Sequence, residues 1–349
     1  MNRGTMLGFP PNDIIGNSDR TGTSVAATLV GIAVLYLTIV RVLRYRNYDR
    51  ISRLPQPKTE AEAHLIRNLS QGMDFPFLVR KGLEFGLFKS YSIPSISKLL
   101  VATKQLTEHT SRRYDDTDLI ICHMIEDPLD SPLAQLAVRR LNELHGKYAI
   151  SNEDYLYVLT LFIVEPARWI ERCGFRPLHR NELDSFHLKY MHIGLQMGIK
   201  QVPKTFEEAA DYLDRYEEKY MVFHPANAKL ATSTIALFLS PLPSIFHPPA
   251  QRVIHALCPP RLREAMGFPE PPVWASTVAH TALVIAQLIH RHLLLPRWWC
   301  LRRTQPWTAV CPFAKTSDDA INIHLTQRFT VFDDNYPRGY TIPKLGPLD

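Results

Sequence analysis

The chain has 349 residues, 46% of them hydrophobic, with a formal net charge of +6 and a sequence pI near 9.0. Much of the basic excess sits in two short clusters, residues 41–53 and 297–303, which suit anionic lipid headgroups better than a nucleic acid, so no nucleic-acid partner is expected. The five cysteines (Cys122, Cys173, Cys258, Cys300 and Cys311) have unrelated spacings and form no CxxC pair, which argues against a disulfide framework and for free thiols in a reduced compartment.

In chain order, the first strong signal is the uncharged run SVAATLVGIAVLYLTIV at residues 24–40, followed by Arg41, Arg44, Arg46, Arg50 and Arg53. At about 1.5 Å per helical residue the run covers roughly 25 Å, close to the hydrocarbon thickness of the thinner cellular bilayers, about 27 Å. The basic residues follow the apolar run, and a secretory signal peptide has the opposite order. The segment is therefore read as an uncleaved anchor at residues 24–43, with Arg41 reaching back to the interface. The positive-inside rule puts residues 1–23 in the lumen and everything after Arg41 in the cytosol. In that topology the formal glycosylation sequon at Asn68, Leu69 and Ser70 stays unmodified. Residues 44–60 read as a basic juxtamembrane linker, and Leu54-Pro55-Gln56-Pro57-Lys58 lets the body stand off the membrane.

The body, residues 61–303, reads as one large helical domain. Ser131-Pro132 looks like an N-cap with proline at the first helical position, opening a helix through Leu133, Ala137, Leu141 and Leu144, with His145 in its last turn. Residues 151–154 match a capping box and lead into the apolar run YLYVLTLFIVEP. A helix apolar on all sides belongs at the centre of a protein, and Gly174 is its expected stop. Further helices are predicted at residues 181–196, 205–220, 227–238 and 274–295, and hairpin signals are nearly absent. The segment 275–295 contains His280, Gln287, His290, Arg291 and His292, so a buried or interfacial amphipathic helix fits it better than a second span. Pro296-Arg297-Trp298-Trp299 suits a bilayer interface. From Thr304 the chain reads as an irregular tail wrapping the core.

Several chemistries lack their residues. The fourteen histidines never recur at i,i+3 or i,i+4, so neither a zinc HExxH helix nor a di-iron ExxH pair is available. No HxD or HxE begins a facial triad. There is no GxGxxG, Walker A loop or GxSxG elbow. A metal held by a single histidine remains open. Glu165, at the end of the apolar run, is expected to pair with Arg168 or Arg139, and His187 and His192 to lie on a half-buried helix face.

The sequence resembles the rubber oxygenase (latex-clearing protein) family, and within it the fungal branch of ER-bound, MpaB-type oxygenases. The resemblance extends from about residue 61 to 301. It rests on the order and spacing of several phrases: residues 91–100 (YSIPSISKLL), 113–117 (RYDDT), Leu144-His145, 150–152 (ISN), 162–169 (FIVEPARW), 197–199 (MGI), 220–222 (YMV) and 295–297 (LPR). It implies an all-α fold around a b-type haem, with dioxygen as co-substrate. The implied reaction is oxidative cleavage of a carbon–carbon double bond in an apolar prenylated or terpenoid substrate, at the ER membrane, in fungal secondary metabolism. His145 then corresponds to the iron ligand. Arg113 corresponds to a group stabilising negative charge on dioxygen, and Thr117 to a hydrogen-bond donor beside it. Asp116 stands where the rubber oxygenases carry lysine, which departs from lysine-based distal ligation and leaves an open position. Two other readings are kept: a different haem-dependent oxidation or rearrangement, and a membrane-tethered isoprenoid-binding protein without a catalytic metal.

Overall fold

The computed structural model describes residues 15–302, 304–306, 324–326, 335–336 and 340–347; Cys311 and the expected lumenal residues before Ile15 lie outside them. The fold is all-α. The helices are α1 (Ile15–Ser52), α2 (Glu60–Arg67), α3 (Pro76–Ser90), α4 (Pro94–Ala102), α5 (Gln105–Glu108), α6 (Thr110–Glu126) and α7 (Pro132–His145). They continue with α8 (Asn152–Cys173), α9 (Arg180–Gln196), α10 (Phe206–Tyr220), α11 (Pro225–Leu239), α12 (His247–Leu257), α13 (Pro260–Met266) and α14 (Val273–His292). A π-helical turn at Asn68–Asp74 joins α2 to α3. Among the described residues the only ladder pairs β1 (Thr304–Pro306) with β2 (His324–Thr326), antiparallel, with Gln305 opposite Leu325.

α1 is one helix of 38 residues, about 57 Å long, and its two halves have different surroundings. From Val25 to Ile39 every side chain is exposed; from Val40 onward one face is buried, through Arg44, Asn47 and Ile51. The exposed apolar half fits a membrane anchor by length and composition, while the basic half, expected as a linker, is helical and docks on the body. Asn47 donates to Asp74 at 2.8 Å, and Asp74 accepts at 2.8 Å from Arg176, which also holds Glu182 at 2.7 Å. The Arg176 guanidinium stacks over Tyr48, Phe75 and Phe175, so the buried charge is both paired and covered by rings. The proline segment after α1 is tied down as well, since Asn181 Nδ2 donates to the carbonyls of Ile51 and Leu54.

α8 runs through the centre, as its uninterrupted apolar pattern requires: Leu156, Tyr157, Leu161, Ile163, Val164 and Ile170 are all buried. Ser151 accepts from the Asp154 amide and Gly174 follows the last turn. α3 lies against α8 so closely that a Cβ on Gly82 would meet the Pro166 Cα at 2.5 Å. The Glu165 carboxylate pairs with Lys89 of α3 at 2.7 Å, and Lys89 also reaches Glu217 of α10 at 2.6 Å. The expected partner Arg168 is more distant, at 3.8 Å, and forms a two-oxygen contact with Asp214. Burial raises the Glu217 pKa against the opposing effect of Lys89.

The α3–α8 contact leaves no room for a methyl group. Gly82→Ala should lower stability by about 1–3 kcal/mol, the usual cost of overpacking. Gly31→Ala, with no heavy atom within 4 Å of its added Cβ, should leave stability unchanged. Equal thermal midpoints for the two variants would show that the contact is not tight.

Candidate active site

The site is built on the reversal between α6 and α7. The chain turns at residues 127–131, where Leu129 is buried and its carbonyl accepts from Gln135 at 2.6 Å. Ser131 caps α7 by accepting from the Ala134 amide at 3.3 Å, and Pro132 opens the helix. Arg113 and His145 lie equally far from Leu129 along the chain, one near the start of α6 and the other closing α7. An antiparallel pair turned at Leu129 therefore brings these two residues to the same level. One α-helical turn from Arg113 come Asp116 and Thr117, on the same face.

Arg113, Asp116, Thr117 and His145 all line one cavity of about 970 Å³. That is the upper end of the range for small-molecule sites, about 300–1,000 Å³. Its wall is mostly aliphatic and aromatic, with Ile120 and Ile121 from α6, Leu141 and Leu144 from α7, and Val158 and Phe162 from α8. His145 Nδ1 is buried and has no hydrogen-bond partner among the described residues. Burial lowers its pKa from 6.5, so the imidazole is neutral at neutral pH. The Tyr155 ring packs beside it at 5.7 Å.

Arg113 pairs with Asp116 through Nη2 at 2.5 Å, while its Nε and Nη1 are buried without a partner among the described residues. Asp116 also accepts from the Tyr336 hydroxyl. Burial raises the Asp116 pKa, and the Tyr336 hydrogen bond and Arg113 act against that rise. The position that departs from the family's lysine thus carries a carboxylate that holds Arg113 and the C-terminal segment together.

That segment is the part of the site the sequence did not reveal. Asn335 donates to Asp115 and to Ser111, Tyr340 contacts His123 at 2.8 Å, and Arg140 donates to the Leu345 carbonyl at 2.8 Å. Gly346 and Pro347 form part of the cavity wall. Gly346 has φ +106° and a Cβ there would meet Leu144 at 2.7 Å, so the backbone passes directly over the residue next to His145. The glycine and two tyrosines of this segment carry no motif spacing that would have assigned them to the site. Tyr91, which has no signal in the sequence beyond its place in the 91–100 phrase, lines this cavity and an adjoining one of about 460 Å³, and burial pushes its pKa up to about 12.

The chemistry of these residues fits a haem. One neutral imidazole with an unsatisfied buried nitrogen opens onto a large apolar space, and a residue of the same wall carries two partnerless guanidinium nitrogens. Among the described residues no group of three or more His, Cys, Asp or Glu side chains converges as a metal cage. His187 is engaged elsewhere, with Nε2 at 2.8 Å from the Pro203 carbonyl, and neither it nor His192 lines the cavity. Asn68 lies in the π-helical turn and Ser70 is fully buried, so the folded structure has no room for a glycan-bearing turn at the sequon's serine.

A family model described as "ER-bound oxygenase mpaB/B'/Rubber oxygenase, catalytic domain" matches residues 92–289. An ER-bound oxygenase mpaB' of Penicillium brevicompactum is 32% identical over 295 residues, covering 77% of this chain and 70% of the relative. An ER-bound oxygenase mpaB of Penicillium roqueforti (strain FM164) is 33% identical over 267 residues, covering 69% of this chain and 90% of the relative.

The Arg113–Asp116 pair should be measurable in a double-mutant cycle. Combining Arg113→Leu with Asp116→Asn and following denaturant unfolding should give a coupling of about 0.5–3 kcal/mol, as for other residues in contact. Additive losses would mean that the two side chains do not interact in solution.

Proposed function

Because the chain belongs to the ER-bound oxygenase mpaB/B'/rubber oxygenase family, we propose that this oxygenase is haem-dependent and cleaves a carbon–carbon double bond in an apolar prenyl or terpenoid chain. The setting we propose is fungal secondary metabolism, with the body on the cytosolic face of the ER membrane. The observation that carries the reading is the convergence of His145, Arg113 and Thr117 on one large apolar cavity. Family membership also makes the chain an oxygenase, which removes the non-catalytic binding reading.

Bound in this cavity, haem b would supply an iron centre that activates dioxygen, and His145 is the residue that would hold it. The apolar wall takes up the substrate chain and excludes water, so the charges that remain act in a low dielectric. Arg113 is aimed by Asp116, which occupies Nη2 and leaves Nε and Nη1 to stabilise negative charge developing on oxygen. Thr117, one turn along the same face, donates its hydroxyl proton to the same region. Tyr91 keeps its proton at neutral pH and offers a second hydroxyl.

Purified protein should show a Soret band. His145→Ala should lose most of the haem while His187→Ala and His192→Ala keep it; equal retention in all three would remove His145 as the ligand. The pH dependence follows from the lowered imidazole pKa. Protons compete with iron only once the ring protonates, so haem uptake should be full above about pH 6.5 and weaken in acid. Arg113→Leu should keep the Soret band and turn over substrate at least about tenfold more slowly, since losing one such donor typically costs about 10²–10³ in rate. Haem loss in that variant would make Arg113 a structural residue. For topology, protease added outside intact microsomes should digest the body; protection would place it in the lumen.

A further inference from the structure

α14 is patterned inside out. In its second half Gln287 and His290 turn toward the protein, Gln287 donating to the Gly174 carbonyl at 2.7 Å and the His290 ring packing edge-on against Phe175 at 5.1 Å, while Ser276, Thr277, His280 and Thr281 of the first half are exposed. Its small residues Ala275 and Ala279 are buried, whereas Val278, Ile285 and Leu288 are about half exposed. From Val273 through Ile289 the helix has no charged side chain. A helix facing water shows the reverse arrangement, and an apolar surface this long is uncommon on a soluble body.

The apolar face continues into residues 293–299, where Leu293, Leu294, Leu295, Trp298 and Trp299 are exposed by 50% or more. Here it joins the anchor. The Tyr36 hydroxyl, inside the apolar half of α1, donates to the Leu293 carbonyl at 2.5 Å. Arg44 donates to the Leu294 carbonyl, and the Arg46 guanidinium lies 4.3 Å from the Trp298 ring centroid. Tyr36 is five residues before Arg41, or about 7 Å deeper along the helix axis. If Arg41 marks the edge of the hydrocarbon, Leu293 lies below that edge.

Both ends of α14 return to the body. The preceding α13 buries Leu262, Ala265 and Met266, and the following Leu301 amide donates to the Gly72 carbonyl at 2.9 Å. The helix therefore cannot cross to the far side. We infer that α14 and residues 293–299 form a second, monotopic membrane attachment, embedded in the leaflet adjoining the body, with its exposed aliphatic face in acyl chains and Trp298 and Trp299 near the headgroups. The occupant is lipid because the face is continuous with the anchor's own apolar surface. The same placement sets Arg297, Cys300 and Leu301, which rim the smaller cavity, beside the bilayer; that cavity shares Leu87, Tyr91 and Arg113 with the larger one. An apolar substrate would enter from the leaflet.

The test uses the full chain in phosphatidylcholine vesicles. α1 has no tryptophan, so in a Trp169→Phe/Trp307→Phe background quenching of tryptophan emission by brominated lipid reports on Trp274, Trp298 and Trp299. Ile285→Cys and Leu288→Cys, in a Cys300→Ser/Cys311→Ser background and labelled with an environment-sensitive fluorophore, should be quenched by doxyl lipid and protected from aqueous iodide. Glu218→Cys on the exposed face of α10 should show the opposite. Iodide quenching at residues 285 and 288, together with unquenched tryptophan, would overturn the proposal. Protection from both quenchers with cross-linking between chains would overturn it in favour of a second copy on this face.

Discussion

The candidate site depends on one geometric constraint: α6 and α7 are joined by a turn so short that they must lie antiparallel, and the turn is centred so that Arg113 and His145 line the same cavity. Leu129 fixes that turn by burying its side chain and using its carbonyl to hold Gln135. The Ser131 cap and Pro132 then set the first residue of α7, and with it the turn on which His145 falls. α8, packed behind this pair, supplies the apolar wall that makes the space between them dry.

Buried charge is used differently in two parts of the molecule. Around Arg176 and around Lys89 every cation has carboxylate partners on other helices, so these groups join α1 to the π-helical turn and α9, and α3 to α8 and α10. At Arg113 the pairing is incomplete, with one carboxylate on one nitrogen and two nitrogens left over. An unsatisfied buried donor costs stability, about 1–3 kcal/mol. Structures keep such groups where a ligand completes them. Arg176 Nε in the core is likewise buried without a hydrogen-bond partner among the described residues, so what distinguishes Arg113 is that its two open nitrogens belong to a residue lining the cavity.

α1 also has a structural part. Its second half contributes Asn47 and Ile51 to the body's interior and its first half contacts the loop after α14, so the direction in which the apolar half leaves the body is set by packing. In the proposed function such a junction fixes the distance from bilayer to cavity, which suits an apolar substrate.

The amino-acid sequence by itself determined the all-α class, the long apolar N-terminal helix with its basic flank, and the ends of α7 and α8. Periodicity, caps and uninterrupted apolar runs are local properties, readable within one or two turns. It also pointed, through the family phrases, to Arg113, Asp116, Thr117 and His145. Only the tertiary structure decided that these four share a cavity, because that depends on the reversal at Leu129. It decided that Glu165 pairs most closely with Lys89, at 2.7 Å against 3.8 Å for the expected Arg168, since a partner 76 residues away leaves no trace in local spacing. It decided which way α14 faces: its composition suits either a buried or an interfacial helix, and the choice lies in Gln287 and His290 meeting Gly174 and Phe175. And it brought Tyr336 and Gly346 to the site across more than two hundred residues, by contacts that no sequence period encodes.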